Sequence, residues 1–206
     1  MQANQRLYNR DGYQVMLFPM EYMNISQGEG GSLSHNLAMD FLGWNADGRV
    51  YDCPYYAPCS CTSLIAWGTS DNRTYQSIGK VDTPNGLKIV TFCFNHDENP
   101  PAVGTTFQQG DLIGHSGTAG GVGDHMHFNT AYGTYDGYVQ VAGTQYYELK
   151  NSSHIYETCY TNGTTIIDGN FYNWLVFQGG SPTPPIPPRS DHQFPWVLYV
   201  RKLRES

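Results

Sequence analysis

The chain has 206 residues, of which 14% are charged, and its formal net charge at pH 7 is −7. This length suggests one domain with a sizeable hydrophobic core. The acidic balance argues against nucleic acid as a partner, and the absence of an apolar segment of spanning length argues against the membrane. The 23 glycines, 12 prolines and 16 tyrosines predict an all-β domain rich in turns.

The first half of the chain alternates short apolar runs with turn residues. In order, the predicted elements are a strand over 14–18, a glycine-rich loop over 27–32, a strand or kinked strand over 33–41, and a turn-strand-turn-strand unit over 50–67. Pro54 and Pro58 exclude a helix from the last of these.

The second half continues the pattern and ends in a proline-rich stretch. The predicted elements are a hairpin turn over 82–86, a strand over 87–94, a turn and short strand over 107–114, a strand over 123–128, a strand or short helix over 145–149, and a last strand over 171–177. Residues 179–188 predict an extended linker. The expected organisation is therefore a domain over 1–178, the linker, and a C-terminal segment over 189–206 that is too short to fold alone.

The five cysteines are an odd number, and the N-terminus lacks the pattern of a signal peptide. Both features predict free thiols in a reducing cytoplasm. The cysteine spacing does not match a Cys-x-x-Cys zinc site, so we expect buried thiols that pack as small hydrophobic groups.

A His-x-His pair lies in the strand predicted over 123–128. Side chains two residues apart on a strand share a face, so His125 and His127 can present two imidazoles to a metal. An ordinary strand with two exposed histidines would look the same. His35, Asp40 and His96 offer further donors, and three protein ligands with one open position are typical of catalytic zinc.

The stretches around these residues resemble the M23 (lysostaphin/LytM-type) zinc metallopeptidases, which cut peptide bonds in peptidoglycan. The family motifs are His-x-x-x-Asp, Tyr-x-His and His-x-His, and the corresponding stretches here, in family order, are SHNLAMDF at 34–41, FNH at 94–96 and GDHMHF at 123–128. Flanking residues over 50–58 and 110–118 also match, so the resemblance covers roughly residues 30–130.

The resemblance implies that His35, Asp40 and His127 bind Zn²⁺, and that His96 and His125 are catalytic residues facing the open side of the metal. It also implies an antiparallel β-sheet or sandwich of the LytM type, with loops that form a groove for a peptidoglycan peptide.

Two departures from the family pattern have structural consequences. Four residues rather than three separate His35 from Asp40. An offset of five puts two side chains on opposite faces of a regular strand, so the chain must bulge or bend between them. Phe94 replaces the tyrosine of the second motif, which removes a hydroxyl but leaves the imidazole of His96.

The function implied is that of a zinc-dependent endopeptidase that degrades the bacterial cell wall, as the catalytic domain of a bacteriophage endolysin or virion-associated lysin. Such a protein would be made in the host cytoplasm and reach the wall after release by a lysis protein or within a virion, and residues 189–206 would begin a wall-binding module. The alternative is a catalytically inactive LytM-like protein that binds the wall or an amidase partner. A cupin is disfavoured because Ala119, Ala131 and Tyr132 stand where its motif expects Gly and Glu.

Overall fold

The computed structural model describes residues 1–29, 35–68 and 71–160. These residues form sixteen short strands and one helical turn, and every pairing between the strands is antiparallel. The predicted all-β, antiparallel fold is therefore confirmed. No helix in the described part of the chain has the length and hydrophobicity needed to cross a bilayer.

In chain order the elements are β1 (Ile25–Gln27), β2 (Met39–Phe41), β3 (Trp44–Asn45), β4 (Gly48–Arg49), β5 (Pro54–Tyr56), β6 (Cys61–Ala66), β7 (Arg73–Ser77), β8 (Val81–Thr83), β9 (Gly86–Lys88), β10 (Val90–Asn95), β11 (Thr106–Phe107), β12 (Leu112–His115), β13 (Met126–Tyr132), β14 (Tyr138–Gln140), β15 (Tyr147–Leu149), β16 (Ser152–Ser153) and α1 (Ile155–Thr158).

The main sheet has the strand order β1-β2-β13-β10-β7-β6-β11, and β16 also pairs with β13. β13 is central, since it pairs with β10 along one edge and with β2 and β16 along the other. The remaining strands form two-stranded units: β5 with β12, β14 with β15, β3 with β4, and β8 with β9.

Alternation along β10 and β13 gives the sheet two different faces. Phe94 is the cross-strand partner of Phe128, and their rings stack with centroids 5.0 Å apart. Both rings are buried in the main hydrophobic cluster. The next pair along the strands, Asn95 with His127, points to the opposite face. One face of the sheet therefore makes the core, and the other presents His127.

We expect Phe128→Ala to lower the free energy of unfolding by about 3–5 kcal/mol, because the lost ring leaves a cavity against Phe94. Denaturant unfolding followed by circular dichroism would measure it. The exposed β14 residue Val139 supplies the control, since Val139→Ala should change stability by less than about 0.5 kcal/mol. A loss below about 1 kcal/mol for Phe128→Ala would contradict this account of the core.

The strand predicted over 14–18 is wrong. This segment is extended and buried, but its backbone groups bond to different parts of the chain in turn. The Met16 N–H donates to the Asp82 carbonyl, and the Phe18 N–H donates to the Tyr160 carbonyl. Only isolated bridges form, at Val15 and Leu17 among others, because no single neighbour runs alongside for long enough to make a ladder.

The predicted hairpin turn over 82–86 is confirmed by β8 and β9, but the single strand predicted over 87–94 is wrong. It is broken at Ile89, because β9 pairs with β8 whereas β10 pairs with β7 and β13. At the break, the Ile89 carbonyl accepts from Gly133 and the Val90 N–H donates to the Ser77 hydroxyl.

The other predicted elements have mixed outcomes. The strand-or-helix alternative over 145–149 resolves to a strand at Tyr147–Leu149, and the strand of the His-x-His pair begins only at Met126. All five cysteines are free and buried, as predicted. The strand over 171–177, the linker over 179–188, the C-terminal segment over 189–206 and the domain boundary at 178 lie outside the described residues and stay predictions.

Candidate metal centre and active site

Two adjacent strands bring the candidate ligands Asp40 and His127 together. Asp40 lies in the middle of β2 and is the cross-strand partner of His127 on β13. Directly opposed residues on one face have Cβ atoms about 4.5–5.5 Å apart, so their side chains meet. The strand pairing alone therefore places a carboxylate beside an imidazole.

The third candidate ligand, His35, lies outside any strand. The chain bends at Asn36 and Leu37 before β2 begins at Met39. The four residues between His35 and Asp40 require such a bend, and it returns the His35 ring to the same side of the sheet as Asp40. The predicted bend is therefore confirmed, and among the described residues 35–41 only Met39–Phe41 form a strand.

The donor atoms of these three side chains converge. Asp40 Oδ1 lies 3.1 Å from His127 Nδ1 and 3.4 Å from His35 Nε2. One ligand atom from each of the three residues lies within 4.8 Å of the other two, and all three residues are buried or nearly so. Ligand atoms about 2.0–2.1 Å from a tetrahedral zinc are separated by about 3.3–3.4 Å. The two distances and the donor types both fit zinc.

Two of the three side chains are held in the protonation state that a metal ligand needs. Burial opposes ionisation of Asp40, but the rings of His125 and His127 outweigh it and hold the pKa of this carboxyl well below its usual range. Burial, assisted by the nearby His127, lowers the pKa of His35 to about 4. At neutral pH the carboxylate is thus charged and the His35 imidazole is neutral.

His96 and His125 form a second pair beside the ligands. Their ring centroids are 4.5 Å apart, and the His96 ring is 6.1 Å from that of His127. His96 Nδ1 lies 2.8 Å from the Ala119 carbonyl oxygen, and His125 Nδ1 lies 2.6 Å from that of Gly123. A carbonyl only accepts, so each Nδ1 must carry the proton and donate. Both rings are thereby oriented through Nδ1, which leaves Nε2 for chemistry.

The pKa values of the two histidines are displaced in opposite directions. Burial and the neighbouring His125 lower the pKa of His96 to about 4. Burial also acts against protonation of His125, but its Nε2 lies 3.5 Å from Asp40 Oδ1, and this carboxylate raises the pKa overall. Titratable groups whose environments separate their pKa values are suited to opposite acid and base roles.

His96 has an unusual backbone conformation. Strand β10 ends at Asn95, and His96 follows with φ of +76°, in the left-handed region that residues other than glycine rarely adopt. The next residue, Asp97, is buried, and its carboxylate accepts from the backbone N–H of Asn99 (2.7 Å) and of His115 (3.0 Å). These bonds hold a turn that directs the His96 ring towards His125.

Asp124 fixes the entry to the His-x-His strand. Its carboxylate accepts from the Ser116 hydroxyl (2.9 Å) and from the Asp52 backbone N–H (3.0 Å), and Arg49 lies 3.3 Å away. The next residue, His125, is in turn bridged to Gly117 by two backbone hydrogen bonds. The catalytic candidate is therefore held by its own neighbours, although it precedes the first residue of β13.

Asp71 contacts the site but carries no sequence signal. This buried carboxylate comes from the connection between β6 and β7, and its Oδ2 lies 3.6 Å from His96 Nδ1. A single aspartate in a turn is ordinarily a turn former. Only the antiparallel packing of β7 against β10 brings Asp71 to the end of β10, where His96 lies.

The metal-free protein should lose stability as the pH falls from about 6.5 to about 4. In this window His35 and His96 remain neutral when folded, with pKa values of about 4, but they are protonated when unfolded, where a histidine pKa is about 6.5. The unfolded state therefore binds more protons, and stability rises with pH. His125, whose pKa is raised, contributes in the opposite sense, since its stabilisation is lost as pH rises.

The measurement is the Tm of metal-stripped protein at several pH values between 7 and 4. The matched variant is His96→Asn, because asparagine tolerates the left-handed backbone better than most residues. Its Tm should fall less steeply with acid than that of the wild type. Equal slopes for the two proteins would contradict a depressed pKa at His96.

Comparison with known proteins finds similarity both by sequence and by structure. No family model matches the chain. The chain is 38% identical over 181 residues to "Morphogenesis protein 1" of Bacillus phage B103, an alignment that covers 79% of this chain and 44% of the relative. The chain thus spans less than half the length of that phage protein.

The similar solved structures include three peptidases. The M23 metalloprotease pseudoalterin, from the deep sea, has 17% identity and a TM-score of 0.46 over 81% of this chain and 92% of its own. A zinc-containing peptidase from Vibrio cholerae has 16% identity and a TM-score of 0.44, over 62% and 40%. The catalytic domain of lysostaphin from Staphylococcus simulans has 18% identity and a TM-score of 0.36, over 55% and 84%. Similarity at this level does not assign the chain to a family.

Proposed function

We propose that this chain is a zinc-dependent endopeptidase that hydrolyses peptide bonds in the stem or cross-bridge peptides of peptidoglycan. The observation that carries the proposal is that donor atoms of His35 and His127 converge on Asp40 Oδ1. The paired rings of His96 and His125 lie directly beside these three donors. Three ligands next to two oriented imidazoles provide both parts of a metal-assisted hydrolysis site.

His35, Asp40 and His127 would hold the metal. When bound, zinc would polarise the scissile carbonyl and acidify the attacking water. We assign the proton-accepting role to His96, because its Nδ1 proton is committed to the Ala119 carbonyl and its Nε2 carries the lone pair. We assign the donor role to His125, whose Nδ1 is anchored to the Gly123 carbonyl and whose ring packs beside that of His96.

The two roles have different energetic consequences. Proton transfer to a positioned base contributes about 10²–10⁴-fold in rate. A fixed donor that meets the negative charge developing on the carbonyl oxygen is worth about 3–4 kcal/mol of barrier. Because both rings are fixed by backbone carbonyls, neither has to be ordered when the substrate arrives.

The test is digestion of purified peptidoglycan from several bacteria, followed by mass spectrometry of the products. A peptidase releases fragments with new amino termini, whereas a glycosidase releases new reducing ends. His125→Ala protein prepared in parallel controls for contaminating hydrolases. New reducing ends alone, or identical products from the variant, would overturn the proposal.

The inactive alternative, a LytM-like protein that binds the wall or an amidase partner, gains no support from a particular contact. Inactive relatives of an enzyme ordinarily lose a ligand or a catalytic group, but all five candidate residues meet at one place here. Zinc content separates the two functions, because a binder has no requirement for a stoichiometric metal.

We further propose that the protein is encoded by a phage and acts on the wall as part of the phage particle. The 38% identity to a phage protein named for morphogenesis supports this assignment over a free lysis enzyme. Mass spectrometry of purified particles of the phage that encodes the chain would detect it at a fixed copy number. Its presence only in the infected-cell lysate would favour an endolysin.

A further inference from the structure

A buried glutamate outside the five candidate residues binds the segment that joins two of the ligands. Glu148 is only 3% exposed, and its carboxylate accepts hydrogen bonds from the backbone N–H groups of three consecutive residues. The distances are 3.0 Å from Leu37 and 3.1 Å from Ala38 to Oε1, and Asn36 donates to the same oxygen. Leu37 also lies 3.2 Å from Oε2.

These three residues are the bend between His35 and Asp40. Successive N–H groups that point the same way form a concave site for an anion, and here a side chain of the same chain fills it. The Ala38 N–H is buried, and a buried N–H without a partner costs about 1–3 kcal/mol. The bent conformation, which the four-residue spacing of the ligands requires, therefore depends on an acceptor at this position.

Glu148 is itself tied to the strand that carries the other histidine ligand. It lies in β15, where the adjacent Leu149 N–H donates to Asn129 Oδ1 at 2.8 Å. Asn129 is fully buried and stands two residues after His127 on β13, on the same face of the strand. A continuous set of contacts therefore runs from the His127 strand through Glu148 to the segment that holds His35.

We propose that Glu148 is a positioning residue that sets the location of His35 relative to Asp40 and His127, and so determines the zinc affinity of the site. This inference rests on the proposed metal function. It does not require that Glu148 touch the metal, because the carboxylate acts on the backbone between the ligands.

The experiment measures the zinc dissociation constant of the full chain by competition with a chromophoric chelator. Glu148→Ala should bind zinc about 10–100-fold more weakly than wild type, as is typical when support of a ligand is lost. Glu148→Gln keeps an oxygen at the Oε1 position and should recover most of the affinity. Glu148→Asp keeps the charge but is one methylene shorter, so it should remain weak.

The control for a general loss of stability is Val81→Ala, a buried substitution in the β8–β9 hairpin, which supplies none of the site residues. It should bind zinc as wild type does, even where its Tm falls as far as that of Glu148→Ala. Equal affinity of wild type and Glu148→Ala would overturn the inference and leave the proposed function standing. Failure of the wild type to bind zinc would overturn both.

If Glu148→Ala does not fold, the comparison of Glu148→Gln with Glu148→Asp decides. Tighter zinc binding by the glutamine variant supports positioning through the acceptor oxygen. Tighter binding by the aspartate variant would show that only the negative charge matters, and would overturn the role in positioning.

Discussion

His127→Ala is expected to abolish stoichiometric zinc binding, whereas His125→Ala should retain zinc and lose activity. The two histidines are separated by one residue but make different contacts. His127 Nδ1 lies 3.1 Å from Asp40 Oδ1 and belongs to the set of three converging donors. His125 Nε2 also lies 3.5 Å from Asp40 Oδ1, but His125 is outside the set of three converging donors, is anchored to the Gly123 carbonyl and packs on His96. Removing one of three protein ligands removes much of the coordination, whereas removing a neighbouring imidazole does not.

Zinc content after dialysis against a weak chelator, measured by inductively coupled plasma mass spectrometry, tests this asymmetry. Both variants should keep the circular dichroism spectrum of the wild type, which excludes general unfolding. His35→Ala should behave like His127→Ala. Loss of zinc from His125→Ala, or its retention by His127→Ala, would show that the division of roles between the two histidines is wrong.

The second large effect is expected at His96. His96→Asn should reduce kcat by about 10²–10⁴-fold, the range for loss of a positioned general base, while the zinc content stays at the wild-type level. Asparagine is preferred to alanine because the backbone φ at this position is +76°, which asparagine adopts with less strain. The measured loss of kcat then reflects removal of the imidazole and not a change in the conformation of the turn.

The control for this substitution is His115→Asn. His115 lies at the end of β12 near the site, and its backbone N–H bonds to Asp97, but its side chain is not one of the five candidate residues. Its kcat should stay within a few-fold of wild type. More than a tenth of wild-type activity in His96→Asn would contradict a role for His96 as the base.

The sequence motifs predicted the five candidate residues, and the fold brings all five to one place. For His127 the prediction follows from strand alternation, because the period of two determines which face of the sheet its side chain occupies. The spacing of His35 and Asp40 also predicted a bend. The acceptor that stabilises this bend was not predictable, because Glu148 lies more than 100 residues along the chain from it.

Other features depend on long-range packing, which local patterns do not encode. The extended segment over 14–18 has the composition of a strand, but its backbone partners come from four separate parts of the chain. The break at Ile89 depends on which strands lie beside β9 and β10. The contact of Asp71 with His96 exists only because β7 pairs with β10. In each case the local residue types are compatible with the observed structure but do not determine which distant segments become neighbours.

The most direct test of a zinc-dependent peptidase is titration of metal-stripped protein with zinc while cleavage of purified peptidoglycan is followed by the release of amino groups. We expect no release without metal, and a rise that saturates at one zinc per chain. Asp40→Asn protein should show no such saturation, because its neutral amide replaces the carboxylate that all three rings face. Equal hydrolysis with and without zinc, or full reactivation of Asp40→Asn, would contradict the account.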